Sequence, residues 1–178
     1  MARPLTPPFS EHRDLVAFLG GACLFLSAIE YLIPKPIPLL RVGISNLPLL
    51  IGLDVLPPGA LLLVGALKVA GQGLVAGTFF SYVTLFSAAG TLASVLAMLA
   101  VRRLLGRHIG LVGIGVCGAM LSNLVQLLLA RFLVFGDGAW LLAAPFLAIG
   151  TVMSAVLGWI AERFVARSRW LASLKGAA

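Results

Sequence analysis

Residues 59–77 read GALLLVGALKVAGQGLVAG, and this stretch decides the class of fold. Only Lys68 and Gln72 in it are strongly polar, and an α-helix needs about twenty mainly apolar residues to cross the hydrocarbon core of a bilayer. The stretch therefore predicts a membrane-spanning helix with a positive charge near its middle. Over the whole chain 61% of the residues are hydrophobic and 11% are charged, which excludes an ordinary soluble protein.

Similar apolar runs lie on both sides of this stretch and follow one another with short breaks. We therefore predict an all-α integral membrane protein, a compact bundle of about six transmembrane helices, from runs at 15–33, 39–56, 59–77, 82–101, 109–134 and 139–161. The second run contains Arg41, Asn46 and Pro48, which predicts a short or broken second helix whose regular part starts near Pro48. One membrane domain, 15–162, is flanked by an N-terminal segment, 1–14, and a basic tail, 163–178.

The distribution of basic residues predicts the orientation, because short cytoplasmic loops carry the excess of lysine and arginine. Three basic residues fall on the side opposite the termini: Lys35, Arg41 and Arg131. Nine fall on the side of the termini: Arg3, Arg13, Arg102, Arg103, Arg107, Arg163, Arg167, Arg169 and Lys175. This predicts a bacterial inner-membrane protein with both termini in the cytoplasm. It also explains most of the formal charge of +7 by topology and lipid contact rather than by nucleic-acid binding.

Strongly polar residues inside the spans concentrate between the midplane and the external side. Ionisable residues are costly at this depth and usually face the bundle interior, where they mark a site or an internal pair. The candidate binding residues are Glu30, Arg41, Asn46, Lys68, Gln72, Thr78, Asn123 and Gln126. Because Arg41, Lys68 and Arg131 outnumber Glu30, with Asp137 in the loop above, we expect an externally open site for a small phosphate- or carboxylate-bearing molecule.

The alternative interpretation of the same residues is structural. Glu30 would then pair with Lys68 or Arg41, and Asn123 and Gln126 would join helices by hydrogen bonds, as polar residues do in bundles that bind no ligand.

The segment between the first two runs, Pro34-Lys35-Pro36-Ile37-Pro38, has alternating prolines. Proline fixes φ, blocks a helix and favours an extended conformation in the residue before it. We therefore predict that Pro34, Pro36 and Pro38 form a stiff external lid above the site.

Several classes of chemistry lack their motifs in this sequence. A phosphate-binding loop of the Walker type is absent, so the chain itself does not drive transport with ATP. The aspartates are far apart, without the clustered carboxylates that bind magnesium for prenyl diphosphate chemistry. We therefore predict a protein that is not an enzyme and that carries no cofactor or metal.

The stretch Glu30 to Asn46, EYLIPKPIPLLRVGISN, carries the glutamate, the three prolines, an arginine, a glycine and an asparagine at fixed spacing. It resembles the signature of the Gx transporter family, also labelled heptaprenyl diphosphate synthase component I. Gly73, Gly77 and Thr78, and an N-x-x-Q element at Asn123 and Gln126, extend the resemblance over roughly residues 15–162. Lys68 stands where the pattern has an arginine, which keeps the charge but not the bidentate geometry.

The resemblance implies a bundle similar to the substrate-binding S components of energy-coupling factor transporters. Such a protein captures a small vitamin- or cofactor-like molecule from outside and works with an energising membrane subunit and ATPases. The other family label implies the alternative, a non-catalytic membrane accessory of isoprenoid or quinone metabolism that serves polyprenyl diphosphates. A pocket enclosed from above favours the first function, and a groove open sideways to lipid favours the second.

Overall fold

The computed structural model describes residues 9–32 and 43–168, which form helices and turns and contain no strand. Five long helices make up most of this part: α1 (Phe9–Leu32), α3 (Pro58–Val75), α4 (Tyr82–Leu105), α5 (Leu111–Ala130) and α6 (Ala143–Arg167). A short helix, α2 (Leu47–Gly52), follows a 3₁₀ turn at Ile44–Asn46. Between α5 and α6 the chain forms a π turn, Arg131–Phe135, and a 3₁₀ segment, Gly136–Leu142.

The expectation of six spanning helices is wrong in its count, because α2 is too short to be the sixth. Its six residues extend only about 9 Å at 1.5 Å per residue, a third of the hydrocarbon thickness. Pro48 occupies one of its first two positions, where a missing N–H costs nothing. The predictions of a short second helix and of an early helical position for Pro48 are both confirmed.

The outer surface of the bundle indicates a membrane protein. Within the described residues three helical stretches are long and apolar enough to cross a bilayer: Pro58–Val75, Tyr82–Leu105 and the continuous run Leu111–Arg167. Large apolar side chains are exposed on these stretches and on α1, among them Leu92 at 53% on α4 and Phe25 at 67% on α1. Water-soluble monomers rarely expose contiguous apolar surface of this kind, whereas lipid requires it.

The long helices pack in a ring that α2 completes. Helix α1 lies against α3, α3 against α4, α4 against α5 and α5 against α6, while α2 contacts both α6 and α1. The residues from Pro48 to Gly52 are all buried, so α2 packs against α1, α3 and α6 rather than facing lipid.

One end of the bundle is a packed apolar core. It combines α2 with the beginnings of α1, α3 and α5 and the final turns of α4 and α6, through Leu19, Leu49, Leu61, Val64, Met98, Ile114 and Ala161. Gly158 permits the close contact between α6 and α5, since a Cβ there would lie 2.5 Å from the Cα of Val112.

Polar contacts hold the loops at this packed end. Arg102 at the end of α4 donates from Nε and Nη2 to the carboxylate of Asp54, in the turn after α2, at 2.7 and 2.5 Å. Its Nη1 donates to the carbonyls of Gly106 and Ile109 at 3.1 and 3.2 Å. These contacts join the α2–α3 turn to the α4–α5 connection.

Candidate functional site

The carboxylate of Glu30, near the end of α1, accepts hydrogen bonds from the residues that precede α2. Its Oε1 accepts from the N–H of Gly43 at 3.0 Å, and its Oε2 accepts from Ser45 Oγ at 3.1 Å and Ser45 N–H at 3.4 Å. Gly43 has φ +77°, a left-handed conformation that glycine adopts without strain. Glu30 is only 1% exposed, so these three donors stabilise a buried negative charge.

Lys68 lies near the middle of α3 and is 5% exposed. Its ammonium group donates to Asn46 Oδ1 and to Thr91 Oγ1, the latter at 3.4 Å. Asn46 is the N-cap residue of α2, yet its side chain makes no capping hydrogen bond. The side chain of Asn46 is therefore directed toward a charge on another helix instead of satisfying the start of its own.

These residues line a cavity of about 50 Å³ inside the bundle. One buried water needs at least about 10–15 Å³, so the space suits a few waters or one small polyatomic group. Every described helix contributes to the wall, and 12 of its 19 residues have polar side chains. The side chains with hydroxyl, amide or charged groups are Glu30, Ser45, Asn46, Lys68, Gln72, Ser87, Thr91, Ser94, Ser122, Asn123, Gln126 and Ser154.

The structure brings together six of the residues that the sequence proposed for binding: Glu30, Asn46, Lys68, Gln72, Asn123 and Gln126. Thr78 is not in this wall. It lies in the α3–α4 loop, where its carbonyl accepts from Ser81 Oγ at 2.8 Å and from Thr84 Oγ1 at 2.6 Å. Four further candidates lie outside the described residues: Arg41, Pro34, Pro36 and Pro38.

Arg131 does not contribute its charge to the cavity, contrary to the sequence-based expectation. The helix α5 ends at Ala130, and the following turn directs Arg131 toward Asp137, with Nη2 and Oδ1 2.9 Å apart. The guanidinium also lies over the ring of Trp140, 5.6 Å from its centroid. Arg131 thus stabilises the connection between α5 and α6 through these contacts.

Sequence reasoning missed most of the hydroxyl groups in the wall. Ser87, Thr91 and Ser94 recur on α4 at intervals of four and three, which places them on one helical face. Ser87 Oγ donates to Gln72 Oε1 at 2.7 Å. Ser94 is 1% exposed, and within the described part of the chain its hydroxyl has no hydrogen-bond partner. A buried hydroxyl of this kind calls for a water or ligand partner.

Two glycines make room for the amide side chains of α5. A Cβ at Gly90 would lie 2.2 Å from Gln126 Nε2, and one at Gly150 would lie 2.0 Å from Asn123 Nδ2. Gln126 Nε2 in turn donates to Ser122 Oγ at 3.0 Å. Because Gly90 and Gly150 have no side chain, the amides of Gln126 and Asn123 have space between α5 and the neighbouring helices.

The change Gly150→Ala tests this packing. The added methyl group should push the flexible amide of Asn123 out of place. If the cavity binds an anion, as the sequence predicts, the affinity should fall by about tenfold, the effect of losing one hydrogen bond. Titration of inorganic phosphate by calorimetry measures the effect. Gly21→Ala is the matched control, because a Cβ at Gly21 meets nothing within 4 Å. Equal affinities for the two variants would contradict a role for Asn123 in binding.

Comparison with known proteins gives one family. A family model described as heptaprenyl diphosphate synthase component I matches residues 19–164, a range that includes every described residue of the cavity wall. No curated protein and no solved structure gives a significant match.

Proposed function

Since the chain belongs to the heptaprenyl diphosphate synthase component I family, we propose that it is a membrane-embedded binding subunit that captures a small anionic molecule in its central cavity. The binding residues in this proposal are Lys68, Asn46, Gln72, Asn123 and Gln126, joined by the hydroxyls of Ser87, Thr91 and Ser94. Arg41 and the proline segment remain predictions for the external side of the site.

The observation that carries the proposal is Lys68 in the wall of a hydrophilic cavity within an apolar bundle. A lysine at the centre of a membrane helix costs at least about 2.5–3.5 kcal/mol, and such residues mark ligand or ion sites by default. The three donors on Glu30 belong to Gly43 and Ser45, so its carboxylate has a structural use. We therefore assign the ammonium group of Lys68 to the ligand, and a cationic group favours phosphate or carboxylate.

The position of the cavity favours access from outside. It lies between the packed core, which contributes Leu50 and Met98 to its wall, and the end of the bundle opposite Arg102 and Arg103, which the charge rule assigns to the cytoplasm. In this orientation both termini are cytoplasmic, and an alkaline phosphatase fused to the C-terminus should be inactive. Delivery inward then needs an energising partner, as in the S components of energy-coupling factor transporters.

Native mass spectrometry of the full chain purified in mild detergent tests the capture of a ligand. We expect a population of protein that carries one small molecule from the cell, released on activation and carrying phosphate or carboxylate. Inorganic phosphate and diphosphate, added to protein stripped of that molecule, should bind at one site. A protein that retains no small molecule and binds neither probe would overturn the proposal.

The family description favours a second candidate function, a non-catalytic membrane accessory of a polyprenyl diphosphate synthase. In that case the chain should co-purify with a soluble synthase encoded in the same genome and raise its activity on membranes. Capture of a small molecule without such an association favours the binding subunit. Association without capture favours the accessory.

A further inference from the structure

The part of the polar cavity that α4, α5 and α6 line differs from the part around Lys68. The charged residues of the described wall, Glu30 and Lys68, lie on α1 and α3, so the wall that the other three long helices contribute is neutral. Thr91 on α4 accepts a hydrogen bond from Lys68 at 3.4 Å. Ser94 follows Thr91 by three residues, on the same face of α4 and about one turn closer to the packed core. The cavity therefore continues from a charged region into a neutral one that has hydroxyl groups.

Two of these hydroxyls lie against successive turns of α5. A Cβ at Gly118 would lie 2.9 Å from Ser94 Oγ, and one at Gly115 would lie 3.2 Å from Ser154 Oγ. Gly115 and Gly118 are three residues apart and share one face of α5. Helices α4 and α6 therefore each bring a hydroxyl to the same strip of α5, beside Met98 of the packed core.

Ser94 is the residue of this neutral region whose hydroxyl most clearly requires an additional partner. It is 1% exposed and forms no hydrogen bond with residues 9–32 or 43–168. Leaving a buried hydroxyl without a partner is costly, so a molecule in the cavity has to supply one. Because the anionic group of a ligand binds at Lys68, about one turn away, the group that reaches Ser94 has to be neutral and able to form a hydrogen bond.

The size of the cavity limits the rest of the ligand. A volume of about 50 Å³ corresponds to roughly three to five water positions at 10–15 Å³ each. A phosphate group alone fills a space of this size. A carboxylate is smaller and leaves room for one carbon atom that bears a hydroxyl group.

We infer that the ligand is a small hydroxycarboxylate, with its carboxylate at Lys68 and its hydroxyl at Ser94. This inference rests on the proposed function, since it assumes that the polar cavity binds an anion. A hydroxyl group both donates and accepts, so it can pair with the serine in either role. Such a ligand is polar along its whole length, in keeping with a wall in which 12 of 19 residues have polar side chains.

Glycolate and propionate test the inference, because they differ only by a hydroxyl group in place of a methyl group. They have the same charge and nearly the same size. We expect calorimetric titration of the full chain, in detergent and stripped of any retained molecule, to give at least about tenfold tighter binding of glycolate. The physical reason is that propionate offers Ser94 no hydrogen-bond partner.

Two serine variants assign this preference to one side chain. Ser94→Ala should reduce the ratio of the two affinities to within about twofold, because no buried hydroxyl then needs a partner. Should that variant fail to fold, Ser94→Cys keeps the shape of the side chain with a weak hydrogen-bonding group and should give the same result. Ser27→Ala is the matched control, since Ser27 on α1 is 2% exposed and equally without a partner in the described chain, but is not among the described residues of the cavity wall. It should keep the full ratio.

The possible results separate the inference from the proposed function. If the wild-type chain binds phosphate but does not prefer glycolate to propionate, or binds neither of them, the hydroxycarboxylate is overturned and anion binding stands. A preference for glycolate that survives in Ser94→Ala would also overturn the inference, since the hydroxyl would then bind elsewhere. Failure of phosphate and of both carboxylates to bind would overturn the proposed function itself.

Discussion

Replacement of Lys68 by methionine should weaken the binding of inorganic phosphate by roughly 100-fold, because it removes the buried ammonium group that attracts the anion. Methionine has nearly the same length and keeps the apolar stem of the side chain in place. The bundle should remain folded, since deleting a buried charge also removes its desolvation cost. Calorimetric titration gives the affinity, and size-exclusion chromatography with thermal unfolding checks the fold.

Two further variants make the Lys68 experiment specific. Arg131→Gln removes a cation that pairs with Asp137 outside the cavity, so it should leave phosphate affinity within about twofold, as expected for an exposed ion pair. Lys68→Arg keeps the charge in a larger, planar group and should bind more tightly than Lys68→Met. Wild-type affinity in Lys68→Met would show that the buried lysine has a structural role and does not bind the anion.

The cost of polar side chains in membrane helices explains which parts of the site could be predicted from the sequence. Charged and amide side chains are rare in spanning helices, so the sequence identifies Lys68, Gln72, Asn123 and Gln126 as candidates, and all four line one cavity. Thr91 and Ser94 did not stand out, because hydroxyl residues are ordinary in membrane helices and can bond to the preceding turn. Their spacing of three residues, which places both on one face of α4, is the feature of the sequence that could have identified them.

Other features depended on tertiary structure. The sequence run at 109–134 gave no sign that the regular helix stops at Ala130 and that the following turns bring Arg131 to Asp137. The second run likewise does not reveal that α2 is buried in the bundle. The sequence also leaves the role of Glu30 open, because a glutamate near the end of a helix is compatible with ligand binding, an ion pair or hydrogen bonds to the backbone.

Glu30→Ala should be strongly destabilising, because it removes the acceptor of three hydrogen bonds and leaves two backbone N–H groups without it. Hydrogen bonds to a charged group contribute about 1.5–3 kcal/mol each when a partner is deleted, and the effects do not add fully. We expect the free energy of unfolding to fall by about 3–5 kcal/mol. Thermal unfolding in one detergent should show this as a fall in Tm of about 10 °C.

A graded series distinguishes a structural tie from direct contact with a ligand. Glu30→Gln keeps one acceptor oxygen and should cost about half as much as Glu30→Ala, and Ser45→Ala, which loses only the Oγ contact, about 1 kcal/mol. Phosphate affinity should fall in the same order, because the turn that Glu30 holds carries Asn46, the partner of Lys68. If Glu30→Ala instead abolished phosphate binding at an unchanged Tm, the carboxylate would belong to the binding surface, and the polarity assigned to the ligand would have to be revised.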